Sequence, residues 1–274
     1  MWNARSVDDL RAPGLQPLVI AHRGSHEFEP EHSLAAYLRA VEEGADGIEC
    51  DVRLTTDGTL VCVHDRRIDR TSNGGGTVSA MRLHDLLKYD FSEPEEELAA
   101  VTPALDERRT VLTLRVLLAA MLDSSPTMSF SIETKHPTRF GRYVELELLE
   151  ELRYFGLIRS GRHETRVRVM SFSSSAIKRV AALEPGISTV YLMGRIPPWR
   201  RSGTLPGSAH IAGISVDALL KRPGFVSAVQ ALNGEVHVWT VNDPEQVAQC
   251  LDLGVDAIIT DRPGMVREQM RVHP

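Results

Sequence analysis

Eight short runs rich in Val and Ile recur along this chain, at 17–21, 47–52, 128–133, 167–172, 188–193, 211–216, 236–241 and 257–260. Several are apolar almost throughout, as strands buried on both faces must be, and parallel strands need a long crossover between them. The intervening segments supply that crossover. Apolar residues at helical spacing predict helices over 33–43, 112–122, 142–154, 174–183, 217–232 and 244–253, with Leu34, Tyr37, Leu38 and Val41 on one face of the first. Ser33, Thr110 or Thr113, Ser173 or Ser174, and Asp243 before Pro244 are the expected N-terminal caps, and Gly44, Gly156, Gly186, Gly234 and Gly254 fall where helices should stop. Strand–helix units repeated in this way lead to an α/β architecture, the TIM (β/α)8 barrel. The link 195–210, rich in Pro and Gly, has no helical period and leaves an open doubly wound sheet as the alternative.

One stretch departs from the rhythm. Asp57-Gly58 between two alternating runs is a hairpin signal, so the segment ending at His64 should fold back antiparallel to the second strand. Residues 53–110, which include Asn73-Gly74-Gly75-Gly76 and an acidic run at 93–97, read as a small insertion over the barrel mouth. A chain of 274 residues is an ordinary size for one such barrel, so 1–274 is expected to be a single domain.

Composition removes several classes of partner. A net charge of −6 without a basic block argues against nucleic acid, and Trp199-Arg200-Arg201 is short enough to be a solvated loop. Cys50, Cys62 and Cys250 are scattered and odd in number, which speaks against a disulfide framework and against structural zinc. Residues 1–10 lack the apolar run of a secretory signal, and no segment reaches the ~18 apolar residues of a membrane span. The expectation is a cytoplasmic protein with no stable membrane association.

The chemistry gathers at strand ends. Along an extended strand Glu49 and Asp51 point the same way and Cys50 the other, so two carboxylates crowd one face, and a hard divalent cation is their simplest partner. The first strand ends at His22-Arg23, where imidazole can exchange protons and guanidinium can clamp a phosphate. The third ends at Glu133-Thr134-Lys135, which places a carboxylate and an ammonium on one face, and the insertion returns His64 toward them. Taken singly, each would pass for a cap or a surface ion pair; together they outline a hydrolytic site at one end of a barrel. Trp239 near the end of the seventh strand suits either a substrate wall or the core, and Asp261-Arg262-Pro263 reads as a helix cap.

His22-Arg23-Gly24, Pro30-Glu31-His32-Ser33, the run 44–52, Thr56-Asp57-Gly58, His64-Asp65 and Arg70-Thr71 resemble the glycerophosphodiester phosphodiesterase family. Ile132-Glu133-Thr134-Lys135, Trp239-Thr240-Val241-Asn242 and Thr260-Asp261-Arg262-Pro263 extend the resemblance from about Val19 to Pro263. It implies a barrel with an insertion after the second strand, and metal-dependent hydrolysis of glycerophosphodiesters such as glycerophosphocholine to glycerol 3-phosphate and an alcohol. It also implies Glu49, Asp51 and Glu133 as ligands of a divalent ion (Mg²⁺, Ca²⁺ or Mn²⁺), His22 and His64 as the catalytic pair, and Arg23 and Lys135 on the phosphate. His22 is then the expected base and His64 the acid, with water or the glycerol's own hydroxyl as nucleophile. One departure stands out: the family usually has Asn where this chain has His32, which leaves Glu31 a candidate only. Two other readings keep the same barrel: lysophospholipase D-like cleavage of lysophospholipids, and a phosphodiester binder without turnover.

Overall fold

The computed structural model describes residues 16–92, 109–159, 164–207 and 209–273. The acidic run 93–97 and the N-terminal decapeptide lie outside these residues. Eight strands pair in parallel: β1 (Leu18–His22), β2 (Gly47–Leu54), β4 (Ser129–Thr134), β5 (Glu164–Ser171), β6 (Ile187–Met193), β7 (Ile211–Ser215), β8 (Glu235–Trp239) and β9 (Ala257–Thr260). Each neighbours the next, and β9 pairs back onto β1, so the sheet closes as a barrel rather than opening into a doubly wound sheet. β3 (Leu60–Cys62) runs antiparallel to β2, as the Asp57-Gly58 turn requires.

The buried apolar residues form four clusters, one of them, around Val61, Ile68 and Leu86, in the insertion. Ile20, Met170, Val190, Leu192, Ile211, Ala257 and Ile259 form a cluster inside the barrel. Two larger clusters lie between the strands and the outer helices, one around Phe130, Leu117 and Leu148, the other around Val226, Val238 and Val266. Cys50 belongs to the first of these, on the face opposite Glu49 and Asp51.

The helices are α1 (Leu34–Glu42), α2 (Leu83–Leu86), α3 (Leu114–Ser124), α4 (Tyr143–Tyr154), α5 (Ser174–Leu183), α6 (Val216–Leu220), α7 (Phe225–Gln230), α8 (Pro244–Asp252) and α9 (Pro263–Val272). Ser33, Thr113, Ser173 and Asp243 accept hydrogen bonds from the first-turn amides of α1, α3, α5 and α8. Three expectations need correction. The helix expected over 217–232 is two helices, because Pro223 lacks an amide hydrogen and disfavours helical geometry at Arg222. In α1 the fully buried residues are Ala36, Tyr37 and Ala40, and Leu38 faces outward. The residues after Asp261 form a ten-residue closing helix, α9, absent from the helices expected above, whose buried positions Pro263, Val266 and Met270 recur at helical spacing. The link after β6 contains only a short 3-10 turn, Pro198–Arg200.

Register brings the polar strand ends together. His22 stands beside Glu49 across β1–β2, and Asp51 beside Glu133 across β2–β4. The turn leaving β1 depends on Gly24, at φ +93°, where a Cβ would come within 2.6 Å of the Ala36 Cβ and 2.7 Å of its backbone carbon. Gly24→Ala should therefore push α1 off the barrel and destabilise the protein by roughly 2–4 kcal/mol, read as a fall in urea midpoint. An unchanged midpoint would mean that the close approach carries no load.

Candidate active site

The cavity at the C-terminal end of the strands, about 260 Å³, is lined by His22, Arg23, Glu49, His64, Glu133 and Lys135 on one side. Met170, Phe172, Leu192, Trp239 and Ile259 form its apolar side. His22, Arg23, Glu49, His64, Glu133, Lys135 and Trp239 thus line one cavity, Asp51 is buried at 1% exposure beside Glu133, and Glu31 lies outside the lining. Trp239 packs edge-to-face on Phe172 with ring centroids 5.6 Å apart.

Asp51 is the most heavily bonded group. Lys135 Nζ lies 2.9 Å from its Oδ1, and Arg23 Nε and His32 Nε2 lie 3.1 and 3.0 Å from its Oδ2. Burial would raise its pKa, but the His32 hydrogen bond and the charges of Lys135, His32 and Arg23 win, holding Asp51 well below the usual carboxylate range. Its neighbours go the other way. Burial, then the charge of Asp51, pushes Glu49 well up and Glu133 up to about 7.

One oxygen from each of Glu49, Asp51 and Glu133 lies within 4.8 Å of the other two. Only hard oxygen donors meet here, and two of the three acids resist ionisation unless positive charge is added, so the residues fit a hard divalent cation. A second group at this spacing is His22, His26 and Asp261, in which His22 is hydrogen-bonded to Asp261 and His26 Nε2 lies close to the same oxygen.

Those bonds belong to residues that sequence reasoning missed. His22 Nδ1 lies 2.6 Å from Asp261 Oδ1, and His26 Nε2 approaches the same oxygen at 2.8 Å. Asn242 Nδ2 donates to the other carboxylate oxygen. Asp261 is therefore no helix cap; the signal that could have found it is its position at the C-terminal end of a barrel strand. Burial would raise its pKa, but the two histidine hydrogen bonds hold it well below the usual range, so it is an anion. An ionised Asp261 takes the Nδ1–H of His22 and leaves Nε2 with its lone pair. His64 repeats the device with Asp65, Nδ1 to Oδ1 at 2.7 Å. Burial lowers the pKa of both histidines.

His32 replaces the usual Asn and still reaches the carboxylate. Its backbone adopts φ +60°, its amide donates to Arg23 O at 3.0 Å, and Nδ1 lies 2.8 Å from the Tyr37 hydroxyl. Nε2 faces ionised Asp51 and is the natural place for the ring's proton, while the Tyr37 hydroxyl beside Nδ1 also donates to Glu49 O at 3.2 Å. Glu31 also finds its place. It accepts from Arg23 and from both terminal nitrogens of Arg70, while Arg70 Nε donates to Asp65. An unbroken run of ion pairs thus joins His64 to Asp51 through Asp65, Arg70, Glu31 and Arg23.

A barrel with acid-lined strand ends and two carboxylate-held imidazoles has the makings of a hydrolase, and the comparisons give its class. Residues 22–265 match the glycerophosphoryl diester phosphodiesterase family, and the chain belongs to it. A probable glycerophosphodiester phosphodiesterase 1 of Mycobacterium tuberculosis is 40% identical over 253 residues, covering 92% of this chain and 91% of that protein. A glycerophosphodiester phosphodiesterase of Caldanaerobacter subterraneus is 32% identical, with 91% and 96% covered. Among solved structures, an Oleispira antarctica phosphodiesterase in complex with the product sn-glycerol-3-phosphate superposes with a TM-score of 0.78 at 25% identity, over 93% of this chain and 97% of that one.

The run of ion pairs has a pH signature. For Glu31, burial is outweighed by the Arg70 hydrogen bond and the Arg23 charge, which lower its pKa from 4.5 to about 2. A depressed folded value contributes stability that is complete above the unfolded value and is lost as pH falls toward 2. Glu31→Gln should thus lower the urea midpoint at pH 7, with the gap to wild type narrowing between pH 5 and pH 3. A gap independent of pH would show that the charge of Glu31 is not what stabilises.

Proposed function

We propose that the chain is a glycerophosphodiester phosphodiesterase that hydrolyses its substrate to sn-glycerol 3-phosphate and an alcohol, in one domain whose insertion brings His64 over the mouth. The observation that carries this reading is the symmetry of the two histidines. Each has Nδ1 held by a carboxylate, and both line one small cavity beside three clustered acids. The product bound by the Oleispira relative names the matching chemistry.

Glu49, Asp51 and Glu133 would hold a divalent ion, which supplies charge neutralisation at a phosphoryl oxygen. Arg23 and Lys135 share that task from the cavity wall, and their attachment to Asp51 keeps them from swinging out. His22, kept neutral by burial and fixed by Asp261, takes a proton on Nε2 from the attacking hydroxyl or water. His64 gives a proton to the departing alkoxide. For this role His64 starts the cycle protonated, its charge offset by Asp65, and burial, which favours the neutral ring, eases release of that proton. Trp239 and Phe172 close the apolar side against the carbon skeleton of the substrate.

His22→Ala and His64→Ala should each lower kcat for glycerophosphocholine by roughly 10²–10⁴ while leaving the fold intact by circular dichroism. Near-wild-type turnover in either variant would remove the paired-histidine mechanism. Preference for a lysophospholipid over glycerophosphocholine in a parallel assay would reassign the substrate class.

Chelation should abolish turnover, and added Mg²⁺, Ca²⁺ or Mn²⁺ should restore it. Because His32 orients Asp51, His32→Ala should weaken cation affinity by roughly 10–100-fold in a calorimetric titration. His32→Asn, which keeps a donor, should recover part of that loss. Equal affinity in wild type and His32→Ala would make the histidine a packing group only.

A further inference from the structure

The loops that follow β6 and β7 leave the barrel at the end that carries the active site, and together they assemble a basic patch that linear sequence disperses. Residues 194–224 contain Arg195, Arg200, Arg201, Lys221 and Arg222 against a single acid, Asp217, in a chain of net charge −6. The fold brings three of them to one hollow. Gly203, at φ +84°, lies so near α7 that a Cβ would sit 2.4 Å from Ala228 O, which holds the first loop against the helix that follows Arg222. Arg201, Lys221 and Arg222 then line one open hollow of about 270 Å³, with Ile196 and Phe225 at its base.

No acid among the described residues pairs with any of these five cations, although most other arginines near acids form ion pairs. Arg200 donates to Thr204 O and lies over the Tyr191 ring, and the rest extend into solvent. Trp199 projects from the 3-10 turn beside them and is 75% exposed. An indole presented amid unpaired cations matches a surface with an apolar layer beneath negative headgroups, since Trp settles at such boundaries and each nearby cation adds attraction. A small dissolved anion would use the cations but not the indole.

We propose that this face docks reversibly on an anionic lipid bilayer, with Trp199 at the headgroup level and Arg195, Arg200, Arg201, Lys221 and Arg222 on the phosphates. The proposal goes beyond the reading of the catalytic site and stands or falls without it. The two connect chemically. A glycerophosphodiester is a phospholipid without its acyl chains, so the class of reaction that supplies it is ester hydrolysis at a membrane. Docking would hold the cavity mouth where that product is released. Because it rests on exposed cations, such binding depends on salt.

Co-sedimentation of the full chain with vesicles tests it, using phosphatidylcholine alone and phosphatidylcholine with 30% phosphatidylglycerol. Wild type should sediment with the anionic vesicles at least tenfold more than with the neutral ones, and lose most of that binding on raising salt from low to ~0.5 M. The triple variant Arg201→Ala/Lys221→Ala/Arg222→Ala should bind about 100-fold more weakly, at roughly fivefold per cation removed. Trp199→Ala should weaken binding at constant charge. Both variants should keep wild-type turnover of a water-soluble diester, which also shows that they fold. Equal sedimentation with both vesicle types, or wild-type binding by the triple variant, would overturn the proposal. So would release from anionic vesicles by millimolar inorganic phosphate when chloride of equal ionic strength has no effect, since the hollow would then be a site for a dissolved anion.

Discussion

The buried charge of Asp51 is the constraint around which the rest of the site is arranged. A carboxylate that is 1% exposed stays ionised only if partners replace its water, and here Lys135, Arg23 and His32 do so from three different segments. Removing one partner from such a buried group costs roughly 3–5 kcal/mol, because the remaining charge is left uncompensated. Each partner is in turn tied elsewhere: Lys135 to Glu133, Arg23 to Glu31, and His32 to Tyr37. Through Glu31, Arg70 and Asp65 the same network reaches His64, so the insertion that carries the second histidine is tied to β2 by a run of charge pairs.

This arrangement also explains why two acids beside Asp51 are pushed toward protonation. Two positive side chains cannot fully offset three carboxylates in a space shielded from water, and burial followed by the charge of Asp51 raises Glu49 and Glu133. A divalent cation held by the three acids would supply the missing charge. The histidines are held by carboxylates outside this crowd, His22 by Asp261, which His26 also approaches, and His64 by Asp65, which Arg70 also meets. On the proposed mechanism, charge neutralisation and proton transfer would fall to separate groups that share one cavity.

Much of this was legible in the chain because it rests on local rules. Period-two alternation placed Glu49 and Asp51 on one face and Cys50 on the other, and Asp57-Gly58 announced the hairpin that returns His64. Ser33, Thr113, Ser173 and Asp243 marked helix starts through their own side chains. What stayed hidden depends on contacts distant in sequence. Asp261 bonds His22 across 239 positions because β9 pairs with β1, and an Asp before Arg-Pro carries the same local signature as a cap. His32 looked like a lost Asn, although its longer ring, turned inward by a left-handed backbone, still meets Asp51. Pro223 interrupts a continuous apolar period, and periodicity alone does not register a missing amide hydrogen.

The most direct test is anomalous scattering from crystals grown with Mn²⁺. The account predicts one strong peak bonded to an oxygen from each of Glu49, Asp51 and Glu133, with the imidazoles of His22 and His64 facing it across the cavity. A peak at His22, His26 and Asp261 instead, or none at either cluster with Mn²⁺ in excess, would contradict it.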